Sequence, residues 1–273
     1  MAVFTELSDG DRDAIASAYG ITSLLSVIGI ADGDRETTYL FRSKENDLIV
    51  TLFENGAEPS DLERAFETME RLHKNGVPCP KPIRSLDGNA TSRAAGKLVA
   101  IVSFVPGSST FDPVTRKCHS LGQTMARIHS ILQPHPNRSS YELPTGPVHG
   151  ALVHQNVFFL DDKVSGIINF RLRHDDALIS EVADVLVDWT GGSNGGLDND
   201  NAQALLAGYQ SVRSLSDAER DALPAFVMAA TARCYGRKGD HRHLPDIAVN
   251  AYRSASGIMQ SGLVGLDPHE IPA

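Results

Sequence analysis

The chain has 273 residues, 41% of them apolar and 22% charged, and a formal net charge of -9. That size supports one large core or two modest ones. The acidic balance repels a phosphate backbone, so nucleic acid is not an expected partner. No apolar run reaches the roughly 18 residues of a membrane span, and the acidic start MAVFTELSDGDRD lacks a signal-peptide core. A cytoplasmic protein with no membrane partner is expected.

Taken in chain order, the first element is a helix near Asp9–Tyr19, with Ser8 as N-cap and Gly20 just beyond its end. Leu24–Ile30 and Thr37–Arg42 are apolar and β-branched, and the turn between them contains Gly33; they read as a hairpin. Leu48–Phe53 is too short for a helix and reads as a central strand. Ser60-Asp61-Leu62-Glu63 has the pattern of a capping box opening a helix to about Lys74, with Gly76 at its end. The Pro-rich stretch Val77–Pro82 must be extended. Leu98–Val105 is a further buried strand, and Pro106-Gly107 ends it. A lobe boundary is placed there, giving lobes 1–105 and 106–273.

The second half is mainly helical. Asp112-Pro113 opens a helix to about Ile131, with Leu121, Met125, Ile128 and Leu132 on one face. Two short strands, Asn156–Leu160 and Val164–Phe170, flank the turn Asp161-Asp162-Lys163. Helices follow near Ala177–Trp189, Ala202–Val212, Asp217–Lys238 and Asp246–Gln260, and Ser216–Glu219 is a second capping box. Gly191–Asn201 is polar and Gly-rich and is expected to be mobile. The three cysteines, Cys79, Cys118 and Cys234, fit neither a disulfide framework nor a zinc motif and read as reduced packing residues.

Several stretches, in this order, carry a resemblance. Leu121-Gly122-x-x-Met125-Ala126-Arg127-Ile128-His129 resembles the helix that precedes the catalytic loop of aminoglycoside phosphotransferase-like kinases. His149-Gly150-Ala151-Leu152-Val153-His154-Gln155-Asn156 stands where that superfamily has His-x-Asp-Leu-x-x-x-Asn. Ile168-Asn169-Phe170 stands where it has Ile-Asp-Phe. Val50–Glu54, Gly76–Pro82 and the segment Ala204–Pro224 are similar to the type II homoserine kinase branch. The resemblance implies an α+β, bilobal, protein-kinase-like fold. It has a β-rich nucleotide-binding-type N-terminal lobe and a helical C-terminal lobe. ATP and Mg²⁺ are the implied cofactors, and a small molecule bound between the lobes is the implied partner. By the same resemblance the nucleotide side comprises Gly33, Thr51, Phe104, Asn156 and Asn169.

The pattern breaks at its chemical centre. The catalytic-loop Asp, which accepts the acceptor hydroxyl's proton in the superfamily, is here Ala151. The magnesium-holding Asp is Asn169, so Asn156 and Asn169 would form a vestigial metal site of two neutral amides. The glycine loop reads Gly33-Asp34-Arg35-Glu36-Thr37-Thr38-Tyr39, with acids where triphosphate would lie. Thr51 occupies a position at which many relatives carry Lys or Arg, and its helix partner could be Glu63, Glu67 or Glu70. Only residues 130–148 separate His129 from His149, where the branch has a longer insert supplying much of the acceptor pocket.

Of the remaining polar residues, His149 and Glu181 read as loop braces and Trp189 as core. His154 reads as a solvent-facing loop residue, with a role as substitute acid/base as the sharper possibility. Asp161 and Asp162 read as turn residues, and Asp240-His241-Arg242-His243 as a polar loop. Three functions stay open. One is a kinase homologue that has lost phosphoryl transfer. The second is an active kinase using substitutes such as His154 or Asp176. The third is a kinase fold turned to another reaction, with His149, His154 and His174 as acid/base groups.

Overall fold

The computed structural model describes residues 5–32, 35–133, 142–170, 175–237 and 243–261. Gly33, His174 and the stretch 240–242, all singled out above, lie outside the described residues. The chain divides into two compact units. One gathers Met1–Pro106 and Gly166–Arg173, the other Gly107–Ser165 and His174–Ala273. The segment carrying Asn169 therefore groups with the first unit, not with the catalytic-loop half in which it lies by sequence.

The first unit is built on an antiparallel sheet. Strands β1 (Leu24–Asp32), β2 (Glu36–Ser43) and β3 (Asp47–Phe53) form a meander. The sheet continues through β6 (Lys97–Ser103) to β4 (Pro82–Ile83), and β5 (Ser92–Ala94) also pairs with β6. Period-two alternation decides which face of β3 is buried: Leu48, Val50 and Leu52 join Leu7, Ile15, Tyr19, Phe41, Val99 and Ile101 in one core. Ile15 and Tyr19 come from α1 (Asp9–Ala18), which starts at a complete capping box between Ser8 and Asp11. Fully burying one such side chain stabilises by roughly 1.5–3 kcal/mol.

Helix α2 (Pro59–Lys74) departs from its expected start. Its N-cap is Glu58, Pro59 takes the first turn, and Ser60 forms no cap. Proline's fixed φ pre-sets the first turn without a side-chain cap. Glu63, the presumed partner in the box, instead bonds Arg84, as does Glu70, and Glu63 also accepts from the Ala90 N–H. Glu67 is exposed. At the other end Gly76 takes φ 73°, and bonds Val77 N–H to Leu72 O and Gly76 N–H to His73 O close the helix.

The second unit packs α3 (Thr115–Leu132), α4 (Leu178–Thr190), α5 (Asn199–Gln210), α6 (Asp217–Arg237) and α7 (Leu244–Ser261). Two small hairpin-like pairs accompany them. One joins β7 (Thr145–Pro147) to β10 (Asp175–Ala177), the other β8 (Val157–Leu160) to β9 (Lys163–Ile167), of which Gly166 and Ile167 group with the first unit. Asp112-Pro113 precedes α3 rather than opening it, and β9 stops at Ile167. The Ser216–Glu219 capping box is formed in both directions.

The Gly-rich stretch 191–201 is not a free loop. Gly191 and Leu197 form a bridge, and α5 already starts at Asn199 behind its N-cap Asp198. Tyr235 Oη donates to Gly192 O, Asn250 Nδ2 to Asn194 O, and the Leu197 N–H to Ser254 Oγ. A Cβ on Gly195 would stand 2.2 Å from Ile247 O, so the loop lies directly on α7. Composition signalled mobility, but bonds to α6 and α7 fix the segment.

Helices α3 and α5 approach so closely that only glycine fits at the crossing. A Cβ on Gly122 would meet Leu205 O at 2.0 Å, and one on Gly208 would meet His119 O at 2.0 Å. Replacing either by Ala forces the helices apart. Gly122→Ala is expected to lose about 1–3 kcal/mol, read as a lower urea midpoint, whereas Gly236→Ala, with open space around it, should stay near neutral.

Candidate functional site

The loop from His149 to Asn156 is held chiefly by one element, α4, through Glu181, Asp188 and Trp189. Gly150 takes φ 71°, a conformation open to glycine, which turns its N–H onto Glu181 Oε1 on α4 at 2.5 Å. Leu152 O accepts from Trp189 Nε1 at 2.7 Å, about two turns further along α4. The His154 N–H donates to Asp188 Oδ2 at 3.3 Å. Asn156 Nδ2 donates to Ala151 O at 2.9 Å and so ties the loop across itself. Residues 154–156 form a single 3-10 turn rather than the start of a strand.

Glu181 is the centre of this scaffold. It is buried, and its second oxygen accepts from His129 Nε2 at 2.8 Å. His129 Nδ1 faces Tyr209 Oη at 2.8 Å, and Tyr209 Oη also accepts from Arg213 Nη1 at 3.0 Å. Arg213 Nη1 in turn bonds Glu219 Oε1 at 2.9 Å, which belongs to the α6 capping box. With the His129 proton on Nε2, each group in this chain has a complementary partner. Burial pushes the Glu181 carboxyl pKa up. The His129 bond, the electrostatic influence of the His129 and His149 rings, and the Gly150 N–H outweigh it, and the net value lies below the usual carboxylate range. His149 is buried near it.

His154 corrects its expected solvent-facing reading. Its Nδ1 lies 2.7 Å from Thr110 O and its Nε2 3.1 Å from Asp188 O. The ring stacks on Trp189 at 4.1 Å between centroids. Both nitrogens face backbone carbonyls, of which a neutral ring donates to one, and this packing on Trp189 argues against a mobile acid/base role. Asp176 sits in β10, exposed, with Oδ1 accepting from the Ala177 N–H. Asp161 is an exposed turn residue at φ 53°, and Asp162 pairs with Arg116. Sequence reasoning gave no sign of Asp188 or Thr110 in the loop scaffold, because their contacts join segments distant in the chain.

Thr51, Phe104 and Asn169 belong to the first unit. Thr51 lies opposite Thr38 and Ala100 on the β3 face away from the core. Phe104 is exposed, and its N–H donates to Asp47 O. Asn169 is exposed at φ 69°, a left-handed conformation that Asn tolerates better than most residues. Phe170 is buried and lines a cavity of about 500 Å³ with Phe53, Leu62 and Arg64.

These groups do not fit a magnesium site of the kind the resemblance implies. The Asn156 amide nitrogen is fixed on Ala151 O, and Asn156, Ala151 and Asn169 offer no carboxylate, on which such sites usually rely. The Cys79 and Cys118 thiols are pushed up to about 12 by burial, so neither is a nucleophile.

The model of the phosphotransferase enzyme family matches residues 26–142 and 114–215. The homoserine kinase of Gluconacetobacter diazotrophicus is 33% identical over 279 aligned positions, covering 85% of this chain and 86% of that one. Among solved structures, an aminoglycoside phosphotransferase from Alicyclobacillus acidocaldarius superposes with a TM-score of 0.66 at 12% identity, covering 96% of both chains. An amicoumacin kinase solved with AMP-PNP, Ca²⁺ and Ami gives 0.62 at 15% identity, covering 93% of this chain and 94% of that one. No helix among the described residues is long and apolar enough to cross a membrane.

The anchor predicts a pH signature. The folded pKa of Glu181 lies below the ordinary value of a free glutamate carboxyl. Its ionisation therefore adds stability above about pH 4.5, and that contribution is lost as pH falls through the folded value. Glu181→Gln should be less stable than the parent by roughly 1–3 kcal/mol at neutral pH. The gap should narrow on acidification, as read by urea unfolding at several pH values. A gap independent of pH would contradict the anchoring role.

The family match and the homoserine kinase relative agree: the chain belongs to the phosphotransferase enzyme family, in its homoserine kinase branch.

Proposed function

We propose that this protein is a homoserine kinase homologue that has kept the catalytic-loop scaffold, lost phosphoryl transfer, and acts by binding a small molecule. The observation that carries this reading is Ala151. It stands in a loop braced by Glu181, Trp189 and Asn156, yet presents a methyl group at the position of the base. A methyl group accepts no proton, and general-base help is typically worth about 10²–10⁴ in rate. Asn169 weakens the metal side in parallel, since an amide carries no charge to hold Mg²⁺ against phosphates.

The acceptor side supports the same reading. Against the Gluconacetobacter relative, 85% of 273 residues is about 232, set against 279 aligned positions. About 47 positions of the relative thus have no residue here. The two stretches of the family match overlap at residues 114–142, which takes in the first part of the short linker 130–148. A shortened acceptor region removes the basis for transferring homoserine specificity.

The test is a sensitive assay of ATP hydrolysis and homoserine phosphorylation with Mg²⁺ or Mn²⁺. Turnover below about 0.1 s⁻¹, under the usual enzyme range, is expected. A faster wild-type rate overturns the proposal. In the same assay Ala151→Asp combined with Asn169→Asp should exceed the wild type, because the loop that would carry the new carboxylate is already braced.

A further inference from the structure

A second cavity lies within the second unit, about 560 Å³ in volume, and its chemistry points to a ligand class. One wall is aromatic: Phe111, His154 and Trp189 stack in series, with centroids 5.7 Å and 4.1 Å apart. The outer ring, Phe111, is 73% exposed, an uncommonly wet position for a phenyl group. Three aspartates, Asp112, Asp188 and Asp198, share the lining, and neither Lys nor Arg does. The nearest cations on α3 are engaged elsewhere: Arg116 pairs with Asp162, and Lys117 lies over the Phe159 ring.

The three carboxylates are not consumed by ion pairs with Lys or Arg. Asp188 Oδ2 accepts the His154 backbone N–H and also stands 3.9 Å from His154 Nε2, and Asp198 Oδ1 caps α5, which leaves the other oxygen on each, and Asp112 is exposed. The floor is firm, because the 191–198 turn is bonded to α6 and α7. An open, rigid, acidic cavity with an aromatic wall attracts a cation by charge and by the ring face together. A metal ion is the poorer fit: among the described residues no three His, Cys, Asp or Glu side chains are grouped to hold one. Ala151 and Asn156 are not part of the lining.

We infer that this cavity binds an organic ammonium ligand, a quaternary or primary amine whose apolar body packs on Phe111 and whose charge faces Asp112 and Asp188. The inference goes beyond the loss of phosphoryl transfer and holds whether or not turnover is found, so the two fail separately. Trp189 lines the cavity and is the chain's one tryptophan, which makes its fluorescence a local reporter.

The experiment is a fluorescence titration of the full chain with choline, putrescine and 3,3-dimethylbutan-1-ol, the uncharged carbon analogue of choline. A saturable change with at least one amine, at a dissociation constant of millimolar order or tighter, and none with the alcohol, is expected. Phe111→Ala should weaken amine binding by about 3–10-fold, and Asp112→Asn by a similar factor. Both side chains are exposed, so folding is not at risk, and circular dichroism checks it. Salt should weaken binding, as for any charge-driven contact. No response to either amine at tens of millimolar, an equal response to the alcohol, or unchanged affinity in both variants overturns the inference.

Discussion

The buried carboxylate of Glu181 is the constraint on which the second unit's loop geometry depends. It binds the Gly150 N–H with one oxygen and His129 with the other. An isolated ionised carboxylate at this depth would be costly, and hydrogen bonds are what make it tolerable. The requirement propagates. His129 must keep its proton on Nε2 to satisfy Glu181, so its Nδ1 needs a donor, which Tyr209 supplies. Tyr209 then takes a bond from Arg213, and Arg213 is held by Glu219. One polar chain thus ties the loop to α3, α4, α5 and the start of α6. It also accounts for the placement of Gly150, since no other residue turns its N–H onto α4 so readily.

This arrangement separates two things that usually travel together, the shape of a catalytic loop and its chemistry. The bonds that shape the loop come from the backbone of Gly150, Ala151, Leu152 and His154, and from Asn156. None of them needs an acidic side chain at residue 151. The order of this loop is therefore independent of whether residue 151 carries an acidic side chain. The same separation frees the neighbouring surface. His154, stacked on Trp189 and facing two carbonyls, works as a wall rather than as a proton carrier.

Much of this was legible in the sequence because the signals were local. The Ser8 and Ser216 capping boxes, the alternation in Leu48–Phe53 and the amphipathic face of α3 each rest on neighbours within a few residues. The family resemblance rested on ordered motifs, and the relatives bear it out. What failed was decided by distant partners. Ser60–Glu63 looked like a capping box, but Arg84 claims Glu63. The Gly-rich 191–198 turn looked mobile, but Tyr235, Asn250 and Ser254 hold it. The aromatic and acidic cavity joins residues 111–113 to 188–201, and no periodicity in the chain announces that meeting.

The account rests most heavily on the Gly150–Glu181 bond, and amide hydrogen exchange at Gly150 reads that bond directly. The N–H of a loop residue held by a buried carboxylate should exchange at a rate set by opening of the α3–α4–α5 packing, comparable with core helix amides. Exchange at the rate of an unprotected loop amide, with the α4 amides still protected, would show that the anchor does not hold and would contradict the account.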